Sequence, residues 1–252
     1  MTEREVRSAP SETRPWWSKA LAAATLVAFL CLPIGALGTR FGLWPFQVGG
    51  AITLLGTALA ALMFLTSFML LAMAYVRGRN ADKANLWRSV LVAGATVGIV
   101  GFQIAPAASY PRIHNITTDV DDPPKFDKVV ALRAGSNPHT YDQALAEIQR
   151  AAYPDIEPLV LDSGSTEVFD RALGVVHDLG LDLVDVNPSA GTIEATDTSF
   201  WFGFKDDVVI RVRAANGGTV VDIRSVSRVG QSDLGANAAR IADILDRIQR
   251  RN

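Results

Sequence analysis

Three stretches of the chain carry no charged side chain: Ala20 to Thr39, Phe41 to Val76 and Ser89 to Pro111. Each is long enough to cross a bilayer, because a helix needs roughly 20 residues to span a hydrocarbon core of about 30 Å. Trp16, Trp17, Trp44, Tyr75, Trp87 and Tyr110 stand at their ends, where amphipathic rings sit at headgroup depth. The reading is a tail at 1–17 followed by three transmembrane helices at about 18–39, 47–76 and 87–109.

The first stretch competes with a cleavable signal peptide, since Arg14 and Lys19 precede it and Ile34-Gly35-Ala36 offers small residues for cleavage. Retention is expected, because two further spans follow and losing the first would invert the charge pattern. Cys31 follows Leu30, too bulky for a lipoprotein cleavage site, and reads as an apolar filler.

The flanking charges set an orientation. Arg4, Arg7, Arg14 and Lys19 precede the first charge-free stretch, and Arg77, Arg79, Lys83 and Arg88 stand between the second and third; between the first and second there is only Arg40. Basic loops remain cytoplasmic, so the third span is expected to deliver the rest of the chain to the extracytoplasmic side of an inner (cell) membrane. Through Tyr110 there are 9 Lys+Arg and 4 Asp+Glu, a net +5; from Pro111 onward 15 against 22 give a net −7. The acidic half has no cysteine and so needs no disulfide, which fits a periplasm. The three charge-free stretches contain no Asp, Glu, Lys, Arg or His, which points to an anchor rather than an ion or substrate pathway. Gly49, Gly50 and Gly56 with Thr53 and Thr57 form a small-residue face suited to helix packing.

Residues 110–137 are polar and proline-broken, an extended arm with at most one short strand at Val129 to Leu132. Residues 138–252 read as a small α+β domain. Thr140 and Gln143 predict a capping box for a helix carrying Tyr141, Ala144, Leu145 and Ile148. A second helix runs from about Thr166 to Leu179 with Gly180 as its stop. Strands follow at Leu181 to Val186, Thr192 to Thr196, Val208 to Ala214 and Thr219 to Ser227. The Asn216-Gly217 pair predicts a hairpin in which Ala215 faces Gly218. That register puts Val208, Ile210 and Val212 with Val221, Ile223 and Ser225 on one face, and Arg211 with Asp222 and Val209 with Arg224 on the other. A last helix from Ser232 to about Arg250 turns Leu234, Ile241, Ile244, Leu245 and Ile248 to one side. The expected architecture is an antiparallel sheet of about four strands with helices on its apolar face, an order compatible with a helix-grip arrangement.

Four ordered blocks carry a family resemblance: IHNITTDVDDPPKF, AAYPDI at 151–156, GTIEATDTSFWFGFKDDVVIRVR at 191–213 and DIRSVSRVGQSDLGANAARI at 222–241. Together they resemble the domain of unknown function 1499 family, found in bacterial envelopes and chloroplast-related proteins, over about residues 110–252. The family has no established activity, so the resemblance implies a domain boundary and no catalytic residue.

Two clusters stand out as binding candidates. Arg211, Arg224 and Arg228 line one sheet end, and Ser232 is placed to cap the last helix, so that a phosphate or carboxylate could meet free helix N–H groups with Arg228 as its clamp. The opposing reading is a strand-to-helix corner in which Asp233 pairs with Arg228. The aromatic run Phe200, Trp201, Phe202 and Phe204 is either an exposed lip, with Trp201 and Phe202 as contacts, or core packing. His114, Asp119, Asp121 and Asp122 lack the spacing of a metal loop, and no metal or other cofactor is expected. There is no G-x-S-x-G; His139, His177 and Asp178 would need Ser225 or Ser227 to assemble a hydrolase, so an enzyme is not the favoured reading. The net −7 half offers no basic footprint for nucleic acid. The expected function is a membrane-anchored extracytoplasmic binding or envelope-assembly module. Its partners are the lipid bilayer and an envelope protein or anionic lipid, with lipid handling as the alternative.

Overall fold

The computed structural model describes residues 16–215 and 217–251; the expected tail through residue 15 and Asn216 of the predicted turn lie outside them. The chain divides into two compact units between Ala105 and Pro106.

The first unit holds helices α1 (Trp16–Arg40), α2 (Phe46–Val76) and α3 (Asn80–Ile104), each long and apolar enough to cross a membrane. The third begins at Asn80, ahead of the expected 87, and brings Asp82, Lys83 and Arg88 into the helix. A 3-10 turn at Ala105–Ser109 follows it. Small residues let α1 and α2 approach closely. A Cβ at Gly35 would lie 2.5 Å from the Gly49 carbonyl oxygen and 2.6 Å from Thr53 Oγ1, and Gly56 faces Ala28 and Cys31 in the same way. Gly50 has open space instead and is not part of this seam. Trp44 closes the top by donating from Nε1 to the Gly35 carbonyl at 3.2 Å. Gly35→Leu is therefore expected to lower the thermal stability of the detergent-extracted protein by about 1–3 kcal/mol through overpacking. Differential scanning fluorimetry with Gly50→Leu as the tolerated control checks this.

The second unit is α+β, with a six-stranded antiparallel sheet where about four strands were expected. The strands are β1 (Asn115–Thr117), β2 (Leu159–Leu161), β3 (Asp182–Asn187), β4 (Thr192–Thr198), β5 (Lys205–Ala215) and β6 (Gly218–Ser227), in the order β1-β6-β5-β4-β3. β2 also pairs with β6, beside Val221 to Thr219, so β1 and β2 share one edge position. Both are three residues long, too short for an alternating pattern to reveal. The hairpin register is the predicted one: Ala215 faces Gly218, Arg211 faces Asp222 and Val209 faces Arg224.

Helices α4 (Ala146–Ala152), α5 (Ser165–Asp178) and α6 (Ala236–Arg250) complete the unit. α5 and α6 cover one sheet face, where Ile193, Val208, Ile210, Val221 and Ile223 pack against Val168, Val175, Ile241, Ile244 and Ile248. α5 ends at Gly180, whose φ of 67° only glycine adopts without strain, and Leu181 N–H returns to the Val176 carbonyl.

Three expectations are corrected. The predicted capping box is absent: Asp142 accepts from Ala144 N–H while Gln143 donates to the Val120 carbonyl, and Ile148 is exposed where Gln149 is buried. The predicted strand at 129–132 is a 3-10 turn, Lys128–Leu132. The last helix begins at Ala236, not Ser232, because Gly230, Leu234 and Gly235 all have positive φ; Leu234 is exposed and off the apolar stripe.

Candidate functional site

The sheet face opposite α5 and α6 is charged, as its register requires, yet much of it is closed to solvent. The segment from Thr118 to Arg133 crosses it, and Phe126 and Val129 pack on Val209 and Val226. Charged residues of β4, β5 and β6 are thereby trapped between strand and arm. A charge in that position needs a partner, because desolvation costs several kcal/mol per ion.

Asp207 is fully buried and receives Arg228 in a two-pronged pair, Nε at 2.9 Å and Nη2 at 2.8 Å. Arg133 from the arm adds a second guanidinium to the same carboxylate, and Thr196 donates its hydroxyl at 2.7 Å. Burial alone would raise the Asp207 pKa, but the Arg228 and Thr196 hydrogen bonds and the two positive charges outweigh it and leave it below its ordinary value. Glu194 accepts the backbone N–H groups of Asp127 and Val129, fixing the start of the 3-10 turn. Asp222 takes Arg211 and Arg213 on one carboxylate oxygen, and Arg211 continues to Asp122 Oδ2 at 2.9 Å.

Arg224 differs from the others. It is 3% exposed, and among the described residues no carboxylate lies within ion-pair reach. Its donors go to Asn115 Oδ1 at 2.9 Å, the Pro124 carbonyl at 3.1 Å and the His139 carbonyl, with the ring centres of Phe126 and Tyr141 5.2 Å and 5.8 Å from its guanidinium carbon. Burial, the largest influence, and the nearby Arg133 charge pull its pKa down to about 10, so it is still a cation at neutral pH.

Of the sequence-selected residues, the structure thus gathers Arg211, Arg224 and Arg228 onto one face but commits their donors to this chain's own acceptors. Ser232 does not cap α6. Its hydroxyl donates to the Pro111 carbonyl, and Asp233 accepts from Gly235 and Asn237 N–H in its place. Arg228 pairs with Asp207 rather than Asp233. Trp201 and Phe200 are exposed and meet edge to face, whereas Phe202 stacks on Phe204 and is only partly exposed. Sequence reasoning missed Arg133, Asp207 and Gln149. Gln149 is 1% exposed and bonds both the N–H and the carbonyl of Thr117, finishing the edge of β1.

Residues 115–248 match the family described as Protein of unknown function (DUF1499). The chain belongs to the DUF1499 family. No curated protein matches it. The four blocks that carry the resemblance supply most of the covered charges of the DUF1499 domain, from Asp119 through Glu194, Asp207 and Arg211 to Asp222, Arg224 and Arg228, together with the exposed Asp122.

Two other places in the DUF1499 domain could hold chemistry. A shallow cleft of about 340 Å³ lies between the start of α5, the Pro188–Gly191 turn and Arg213, and none of the sequence-selected residues lines it. Beneath α6, Arg240 bridges Asp197, Asp206, Asn237 and Ser225. Ser225 is fully buried and donates to Asn237 Oδ1 at 2.6 Å, so that its hydroxyl faces an amide and not an imidazole base.

Proposed function

We propose that the protein is a membrane-anchored binding or envelope-assembly module whose DUF1499 domain stands on the extracytoplasmic side of the cell membrane. The observation that carries the reading is the pairing of three long apolar helices with a domain whose polar groups are spent on holding its own arm in place. A preorganised platform of this kind suits recognition, and among the described residues no nucleophile, base and orienting group converge in it. The distribution of Arg and Lys around the spans supports the sidedness.

An anionic group remains the favoured ligand class at the rim, where the Arg228 and Arg211 side chains are 14% and 19% exposed. Deeper in the face it would have to displace Asp207 or Asp222, which makes Arg224 a support and not a contact. Lipid handling is the second reading, favoured by the exposed Phe200 and Trp201.

Sidedness is tested by fusing alkaline phosphatase or green fluorescent protein after Asn252 in a bacterial host. Active phosphatase with a dark fluorescent fusion is the expected result, and the reverse pattern overturns the localisation. Ligand class is read by native mass spectrometry of the gently extracted full chain. An anionic lipid or metabolite lost in Arg228→Ala fits the rim site; a bare protein in both samples removes it.

A further inference from the structure

We infer that the end of the DUF1499 domain joined to the membrane helices rests on the phospholipid surface, with Phe200 and Trp201 seated at the headgroup boundary. The sheet has two ends of different character. At one, the entering chain is stitched to the loops around it: Ser232 donates to the Pro111 carbonyl at 3.1 Å, Asp233 N–H to Ile113 at 3.3 Å, Ser227 N–H to His114 at 2.9 Å and Arg228 N–H to Lys205 at 2.9 Å. The β4–β5 loop, closed by Ser199 N–H on the Phe204 carbonyl at 2.8 Å, belongs to this same end.

Most large apolar side chains that this unit exposes are found here. Phe200 is 70% exposed, Trp201 53% and Leu234 46%, with Tyr110 and Leu132 beside them in the same group of loops. The other end is made by the Pro188–Gly191 and Ala215–Gly218 turns, and the exposed Val160 and Val186 stand singly on strands. Leu234 also keeps a φ of 54°, a left-handed conformation that costs a leucine free energy and holds its side chain outward.

Chain length supplies the occupant. The last apolar helix ends at Ile104 and Ile113 is already bonded into the domain, nine residues on, a reach of at most about 30 Å even when extended. A bilayer crossed by that helix is therefore within reach of this end, and the 3-10 turn shortens the span further. Tryptophan and its neighbours favour the interfacial zone, and exposed Arg112 adds a positive group for anionic headgroups. The inference needs only that the helices span, so it holds on either side of the membrane and does not share the fate of the sidedness test.

The test is site-directed spin labelling of the full-length chain in a Cys31→Ala background, reconstituted in phosphatidylethanolamine/phosphatidylglycerol vesicles. Labels go at Phe200→Cys, at Leu234→Cys and, as the distant control, at Val160→Cys. Collision with oxygen reports lipid, and collision with a water-soluble nickel chelate reports solvent. The expected result is several-fold lower nickel accessibility at 200 and 234 than at 160, with raised oxygen accessibility. Nickel accessibility equal at all three sites overturns the inference, as does a label at 200 shielded from both probes, which would place a protein surface there. Should Phe200→Cys fail to fold, Leu234→Cys decides alone, because that side chain lies outside the core.

Discussion

Asp207→Ala is expected to destabilise the DUF1499 domain by about 3–5 kcal/mol, the usual cost of removing one partner from a buried ion pair. The carboxylate it removes pairs with both Arg133 and Arg228, whose side chains are 3% and 14% exposed. Truncation leaves two guanidiniums facing each other in a desolvated layer, and the Thr196 hydroxyl without its acceptor. Hydrogen exchange of the detergent-extracted full chain should show residues 118–137 opening together with β5, while α1, α2 and α3 keep their protection. Unchanged exchange would mean that the arm is held by apolar packing alone.

The same carboxylate sets a pH dependence. Its folded pKa is depressed, so its contribution is fully present above the unfolded value of about 3.9 and is lost as pH falls through the folded pKa. Loss of arm protection is therefore expected only below about pH 4. The Asp207→Ala variant should lack that acid step.

Arg224 gives the second large effect, with a reversal of the usual order of conservative substitution. Arg224→Ala is expected to cost about 2–4 kcal/mol, because the Pro124 and His139 carbonyls and Asn115 lose their donors while a cavity opens beside Phe126 and Tyr141. Arg224→Lys keeps the charge but cannot fork to three acceptors, and it has no carboxylate to compensate its burial. Arg224→Met removes the charge and fills much of the volume. Methionine should accordingly be tolerated better than lysine, measured as arm exchange rates and as the midpoint of thermal unfolding. Lysine performing as well as arginine would show that the charge, and not the geometry of the fork, is what the arm requires.

Both variants probe a feature that linear reading could not reach. The β5–β6 register was legible because Asn216-Gly217 fixes the turn and a period of two does the rest, so that the Arg211–Asp222 and Val209–Arg224 pairs follow by counting. Amphipathic α5 was legible from its spacing, and its stop from Gly180. By contrast β1 and β2 are each three residues, and their pairing is specified by β6 rather than by any pattern of their own. The start of α6 was misread at Ser232 because a serine before an alanine-rich run carries the local signature of a cap, whereas the left-handed residues at 234 and 235 delay the helix and hand the role to Asp233.

The site residues divide along the same line. Arg211, Arg224 and Arg228 were found as a group because they alternate along one sheet face, a local property. Whether that face meets water, ligand or protein depends on a segment far away in the chain: Arg133 reaches Asp207 across 74 residues and Asn115 reaches Arg224 across 109. Sequence by itself determined the three long apolar helices, through runs of uncharged residues, and the strand and helix periods, through the spacing of apolar side chains. Only the tertiary structure decided that the arm covers the charged face, because the free energy of a buried charge depends on which acceptors surround it in space and not on which residues adjoin it in the chain.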